Sequence, residues 1–281
     1  MAHQQGSIIR RRILARRLEQ LRRKAGLSLE QAAPLLDWSV SKLSRIENAA
    51  QSVDVHGVRS MLDLYEAGDD WTELVELARE ARKRQWWHAY GLRRQPFYVG
   101  YETEAVLMHE FTVGYLPGLF QTADYARALF TATPVPRTAQ QLENEIKVRM
   151  IRQGRLTSDD HPLELVAVLE ESTLLRPIGG RPVMRAQLEH LVGACALDSV
   201  TVHVLPTSVG AHAALGSGLV VLNFGDLNEP DVAYVEHALG ALFLEKEDEV
   251  ARAKLTFDLV RAQALDPAES LALIGRLAEQ I

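Results

Sequence analysis

Between Ile8 and Ala25 the apolar residues Leu14, Leu18, Leu21 and Ala25 recur at intervals of four, three and four. They form one stripe of a helix whose other faces are filled by arginine. Gly26 is suited to end it. Ser28 opens a second helix through Leu36, and Ser39 opens a third. In that third helix Leu43 and Ile46 share one side, while Ser41, Lys42 and Arg45 share the other. Val58, Met61, Leu62 and Tyr65 mark a fourth helix. Asp70-Trp71-Thr72-Glu73 has the spacing of a capping box and starts a fifth, carrying Leu74, Val75, Ala78 and Ala81 on to Trp86-Trp87. Pro34 removes an N–H inside the second helix and predicts a kink or an early end there. Asp37 stands in the turn, where a left-handed backbone is tolerated better by Asp than by most residues.

Past the fifth helix the period changes. The Gly-, Pro- and aromatic-containing stretch 86–99 reads as a connection. Helical spacing follows at 101–112, 122–131, 138–153 and 182–196. Between and after these come β-branched apolar runs at 163–169, 200–205, 219–224, 232–236 and 241–244. Most are apolar on both sides, as strands covered by helices are. Two helices, 247–264 and 267–280, close the chain. The expected fold is an N-terminal all-α helix-turn-helix domain of five helices (1–85) and a C-terminal α+β domain (100–281).

Charge sharpens this division. The 281 residues carry a net charge of −6, but residues 1–48 hold ten Lys and Arg against four acids, so the remainder carries −12. A basic head on an acidic body suits a head that meets phosphate. One cysteine, Cys195, excludes an internal disulfide framework or a multi-cysteine metal site. With no secretory signal and no apolar run of transmembrane length, the expected location is the cytoplasm.

The second and third helices, with small Ala33 where two helices cross and Ala32, Leu36, Leu43 and Ile46 between them, have the pattern of a helix-turn-helix. Residues 11–65 resemble the phage-repressor and xenobiotic-response-element (XRE) family. The run Trp38-Ser39-Val40-Ser41-Lys42-Leu43-Ser44-Arg45-Ile46-Glu47 is close to its actinobacterial form. The resemblance implies that Val40, Ser41 and Arg45 face base edges. Lys42, Ser28 and Gln31 are then placed for phosphate, and Ser39 caps the reading helix. It also implies that Arg22 and Glu47 pair between the first and third helices, largely out of water. One such motif covers half an operator, so a homodimer on a pseudo-palindromic double-stranded DNA site is expected.

The second part also resembles a family. Leu116-Pro117-Gly118-Leu119-Phe120-Gln121-Thr122 followed by Asp124-Tyr125-Ala126-Arg127-Ala128 is similar to the opening of a domain of unknown function, DUF5753. That domain follows this kind of helix-turn-helix in Streptomyces and related bacteria. The resemblance implies an antitoxin-like regulator, often encoded beside a very small protein partner. The expected role is a DNA-binding regulator whose C-terminal domain senses a small partner protein or a ligand. The first alternative is an antitoxin-like protein that neutralises its small partner and autoregulates.

No metalloprotease, phosphate-loop, dinucleotide or nucleophile-elbow spacing occurs, and no cofactor, metal site or catalytic residue is expected. Cys195 lies in an apolar helix and reads as an inert thiol. An enzymatic third alternative would need a pocket joining His203, His212 and Tyr234.

Overall fold

The structure, a computed structural model, describes residues 7–92, 96–227, 229–237 and 239–281. These fall into two compact units. The first contains residues 7–89, 96–104, 226–227 and 229, and the second the rest. Residues 96–104, on both sides of the boundary drawn at 100 from sequence, thus group with the N-terminal helices.

The first unit is built from α1 (Ile8–Lys24), α2 (Leu29–Leu35), α3 (Val40–Glu47), α4 (Val55–Leu64), α5 (Asp70–Arg82) and α6 (Pro96–Glu104). The predicted stripes meet in one core, where Leu18, Ala32, Ala33, Leu43, Val58, Met61, Leu62 and Leu74 are fully buried. Ser7 caps α1 by accepting from Arg10 N–H, and its hydroxyl donates to Glu104 on α6. Gly26 adopts φ +71°, which lets Leu27 N–H reach back to the Arg22 carbonyl and close the helix end. The fifth helix differs from its expected start and end. Asp69 holds the cap position without a side-chain bond, Asp70 instead pairs with Arg17 at 3.0 Å, and the helix stops at Arg82. Trp86–Tyr90 form a separate 3-10 turn.

The second unit is a six-stranded mixed sheet with helices. Its strands are β1 (Leu107–Thr112), β2 (Glu164–Glu170), β3 (Val200–Leu205), β4 (Leu219–Asn223), β5 (Val232–His237) and β6 (Gly240–Leu244). Its helices are α7 (Ala123–Ala132), α8 (Ala139–Gln153), α9 (Glu171–Leu175), α10 (Arg181–Ala194), α11 (Glu247–Arg261) and α12 (Pro267–Gln280). The strand order is β3-β2-β1-β4-β5-β6. β1, β2 and β3 run parallel, and β4, β5 and β6 continue antiparallel from β1. The helix expected over 101–112 is therefore overturned in its second half. Leu107, Met108 and Phe111 have helical spacing, but the segment is a strand inside the sheet, paired on both sides with residues far away in the chain.

Strand register separates two faces. On one, Phe111, Val166, Val168, Val221 and Ala233 pack against Val250, Ala253, Phe257 and Val260 of α11. His109 shares this face and stacks on Phe257, ring centroids 4.6 Å apart.

The Leu116–Thr122 signature is a loop whose backbone is held by side chains. Tyr125 Oη accepts from Leu116 N–H, and Gln121 Nε2 donates to the Leu116 carbonyl. Gln153 Nε2 donates to the Gln121 carbonyl. Gln187, fully buried on α10, donates to the Phe120 carbonyl at 2.6 Å and accepts from Thr122 N–H at 2.7 Å. The motif thus carries packing, because buried loop backbone needs partners.

Gln187→Leu leaves that carbonyl and that N–H without their partner. It is expected to lower the unfolding free energy by roughly 1–3 kcal/mol per orphaned group, read as a lower urea midpoint with unchanged slope. A midpoint equal to wild type would show that the loop does not depend on this bridge.

A second prediction concerns pH. Burial, reinforced by Arg261, holds the His109 imidazole below its ordinary value of 6.5. The unfolded chain takes up this proton near the ordinary value, whereas the folded chain resists it. The contribution is therefore complete above 6.5 and is lost as pH falls toward the depressed folded value. Denaturation at a series of pH values should show falling stability below that point, and His109→Phe should flatten the fall. An equally steep decline in the variant would assign it to other groups.

Candidate nucleic-acid interface

The interface begins with how α2 and α3 are started and stopped. Ser28 Oγ accepts from Gln31 N–H while Gln31 Oε1 accepts from Ser28 N–H, a reciprocal capping box. Pro34 comes one residue before the end of α2, which closes at Leu35 after seven residues. The turn is made by Asp37 at φ +55°, the left-handed conformation anticipated for this position. Ser39 Oγ then accepts from Lys42 N–H and starts α3. Ala49 takes φ +55° just after α3, a strain that glycine would not carry.

Within α3, Leu43 and Ile46 are buried, and Ser41 and Arg45 are exposed on the opposite side with Val40. The helix is thus fixed by one stripe and open on the other. Arg45 is not left to wander. Its Nη1 donates to Ser41 Oγ at 2.9 Å and its Nε to Gln51 Oε1 at 3.1 Å. The remaining guanidinium N–H groups keep the planar fork available. Lys42 lies with Nζ 3.8 Å from the centre of the Trp38 ring, a cation–π contact that holds the ammonium at the helix start. Gly57 on α4 permits this, since a Cβ there would come within 3.0 Å of the Trp38 ring.

Behind the exposed face is the Arg22–Glu47 pair. Arg22 Nε and Nη2 donate to the two carboxylate oxygens at 2.8 and 2.7 Å, and Nη1 donates to the Leu27 carbonyl at 2.7 Å. The side chains are 8% and 4% exposed. Hydrogen bonding to Glu47 raises the Arg22 pKa, against the effect of burial. Tyr65 is buried beside the pair; burial and then the Glu47 charge push its phenol upward.

The seven expected contact residues are all exposed or half-buried; six lie at or near the starts of α2 and α3, and Arg45 lies in the last turn of α3. The two starts differ electrostatically. At α2, Glu30 is held below the ordinary carboxylate value by its own backbone N–H and by the Ser28 hydroxyl. An anion is thus already seated there, next to Ser28 and Gln31. At α3 no acid occupies the first turn. The positive end of α3 is thus left without a local carboxylate.

The α1 arginines explain less of the interface than the +6 balance implied. Arg10 pairs with Glu80 and Glu104, Arg12 and Arg16 with Glu229, Arg17 with Asp70 and Glu73, and Arg23 with Glu19. Their charge is neutralised inside the unit. Gln51 and Trp38, which hold Arg45 and Lys42, were not among the expected contact residues, since loop contacts to α3 leave no periodic trace.

The second unit does not assemble the pocket residues. Tyr234 pairs in register with Val220 and so with Glu110, whereas His203 pairs with Val168 and so with Phe111. Adjacent positions on β1 point to opposite faces, so Tyr234 and His203 lie on opposite sides of the sheet. His203 Nδ1 donates to the Leu265 carbonyl at 2.9 Å. His212 packs edge-on against Phe111, with Nε2 3.8 Å from Glu170. Tyr234 packs on Phe243. Cys195 ends α10 half-buried, its thiol pushed up to about 11 by burial, well away from a reactive thiolate. No helix among the described residues is long and apolar enough to cross a membrane.

Comparison with known families matches a helix-turn-helix domain at residues 13–77 and a domain of unknown function, DUF5753, at residues 95–276. Neither a curated protein nor a solved structure matches the chain.

Glu47→Gln leaves the Arg22 charge buried with a neutral partner. The expected loss is on the order of 3–5 kcal/mol, the range for breaking a buried pair from one side, against ~0–1 kcal/mol for an exposed pair. Thermal unfolding checks it: a melting temperature equal to wild type would mean the pair contributes no more than a surface contact.

Proposed function

Because the chain belongs to the DUF5753 family and carries a helix-turn-helix domain ahead of it, we propose a sequence-specific transcriptional regulator in which α3 reads the major groove. The observation that carries this reading is the braced Arg45 on the open face of α3. A guanidinium held at two N–H groups presents its fork in one orientation, and bidentate contact with guanine O6 and N7 requires such a fork. Val40, without a side-chain donor or acceptor, contacts a thymine methyl or excludes water. Ser41 discriminates weakly. Lys42, at the positive end of α3, holds phosphate. Gln31 contributes a phosphate contact through its side-chain Nε2, which the capping box does not use, whereas the Ser28 hydroxyl and N–H are already engaged by Glu30 and Gln31.

The protein acts as a homodimer, one helix-turn-helix on each half of a pseudo-palindrome. The C-terminal domain is the sensing part, and its occupant is a small partner protein or a ligand. Neutralising a small partner, with DNA binding serving autoregulation, is the antitoxin-like form of the same reading. The acidic balance outside residues 1–48 supports a division in which this domain leaves DNA to the N-terminal helices.

An operator selected from random duplexes, and a scrambled control, titrated at several salt concentrations, test the assignment. Arg45→Ala should collapse the operator-to-control ratio, with roughly 1–3 kcal/mol of discrimination at stake. Lys42→Ala should weaken both duplexes alike and lower the salt slope by roughly 0.9 for each phosphate left without its cation. If Arg45→Ala weakens both equally, Arg45 binds phosphate and specificity lies elsewhere.

A further inference from the structure

Arg11 departs from its neighbours on α1. Arg10, Arg12, Arg16 and Arg17 each meet a carboxylate. Arg11 is only 8% exposed, and among the described residues it has neither a carboxylate nor a hydrogen-bond acceptor; its Nε is buried without a partner. Burial lowers the pKa of the group, and the Tyr101 phenol, whose charge would favour the cation, is neutral near pH 7. A guanidinium does not shed its proton in a protein, so Arg11 keeps a charge that water barely reaches. A buried charge without a counter-charge is costly.

Arg11 lines a cavity of about 10 Å³ inside the first unit. Its apolar wall comes from α1 and from Ile46 of α3. Its polar wall comes from Gln51 and Ser52 in the loop after α3 and from Arg82 at the end of α5. No acid lines it, and each of these polar side chains can donate a hydrogen bond. Ser52 and Arg82 are exposed, so that side opens to water. Gln51 Oε1 accepts from Arg45 Nε, which commits the amide oxygen to α3 and leaves Nε2 without an acceptor among the described residues.

We propose that this cavity is a site for one small inorganic anion of halide size, held by the Arg11 guanidinium with Arg82, Ser52 and Gln51 as further donors. The volume decides the class. About 10 Å³ holds a single water-sized occupant. A monatomic anion fits after a small shift of the exposed Arg82, whereas a phosphate or an organic acid does not. The charge decides between an anion and water, because a water would fill the space and leave Arg11 uncompensated. The bound ion joins α1 and the end of α5 to the loop that braces Arg45. The site stands independently of what α3 reads.

The test uses the full chain in sodium gluconate, with sodium chloride or sodium bromide exchanged in at constant ionic strength. The wild-type melting temperature should rise by about 3 °C or more once the halide reaches ten times its dissociation constant. Arg11→Met, which removes the charge and keeps much of the stem, should lose that rise; should it fail to fold, Arg11→Gln takes its place. Lys24→Met, at an exposed cation on the same helix, should keep the rise. In crystals of the wild type grown with bromide, the anomalous signal should place the ion within hydrogen-bonding distance of Arg11, a measurement that needs no variant. If the bromide map is empty at Arg11, the cavity holds water and the proposal is overturned. If bromide is seen there but wild type and the Arg11 variant respond to halide alike, the ion is adventitious and the proposal is overturned as well.

Discussion

The orientation of α3 depends on one buried ion pair. α3 is short, only eight residues, and its apolar stripe offers Leu43 and Ile46 to the core. Two side chains fix depth but leave rotation about the helix axis loosely held. The Arg22 guanidinium removes that freedom. It grips both oxygens of Glu47 and, through Nη1, the Leu27 carbonyl at the start of the next segment. One planar group thus ties the end of α1, the entry to α2 and the last turn of α3. Burial makes the arrangement strict, because a charge removed from water is tolerated only in near-ideal geometry.

Arginine has two uses in this chain, separated by what lies opposite. Along α1 the guanidinium groups face carboxylates from α5, α6 and the segment at Glu229, and they act as internal clasps. On α3, Arg45 faces only neutral groups, Ser41 and Gln51, which orient it without neutralising it. Net charge of the first 48 residues does not distinguish these uses. Local partners do. A cation held by neutral acceptors keeps its charge uncompensated, and Lys42 over the Trp38 ring follows the same logic.

In the second unit the Leu116–Thr122 signature is a packing device. Gln121 within it and Gln187 on α10 are buried because each amide offers both a donor and an acceptor, which is what irregular backbone beneath helices requires. The sheet it leans on places His203 and Tyr234 on opposite faces, so a pocket built from both would have to pass through the sheet.

Periodicity alone identified α1, α4, α7, α8, α10, α11 and α12 and five of the six strands, because each of these except β6 buries one face or both and so writes its period into the chain. The open face of α3 was legible too, through the spacing of Ser41 and Arg45 opposite Leu43 and Ile46. β1 was hidden. Its Leu107, Met108 and Phe111 fit a helix as well as a strand, and only pairing with β2 and β4, distant segments of the chain, decides between them. The same holds for Gln51 and for the partners of the α1 arginines. Hydrogen bonds and ion pairs between residues far apart in sequence have no period. They exist only once the apolar stripes have packed and brought those side chains within reach.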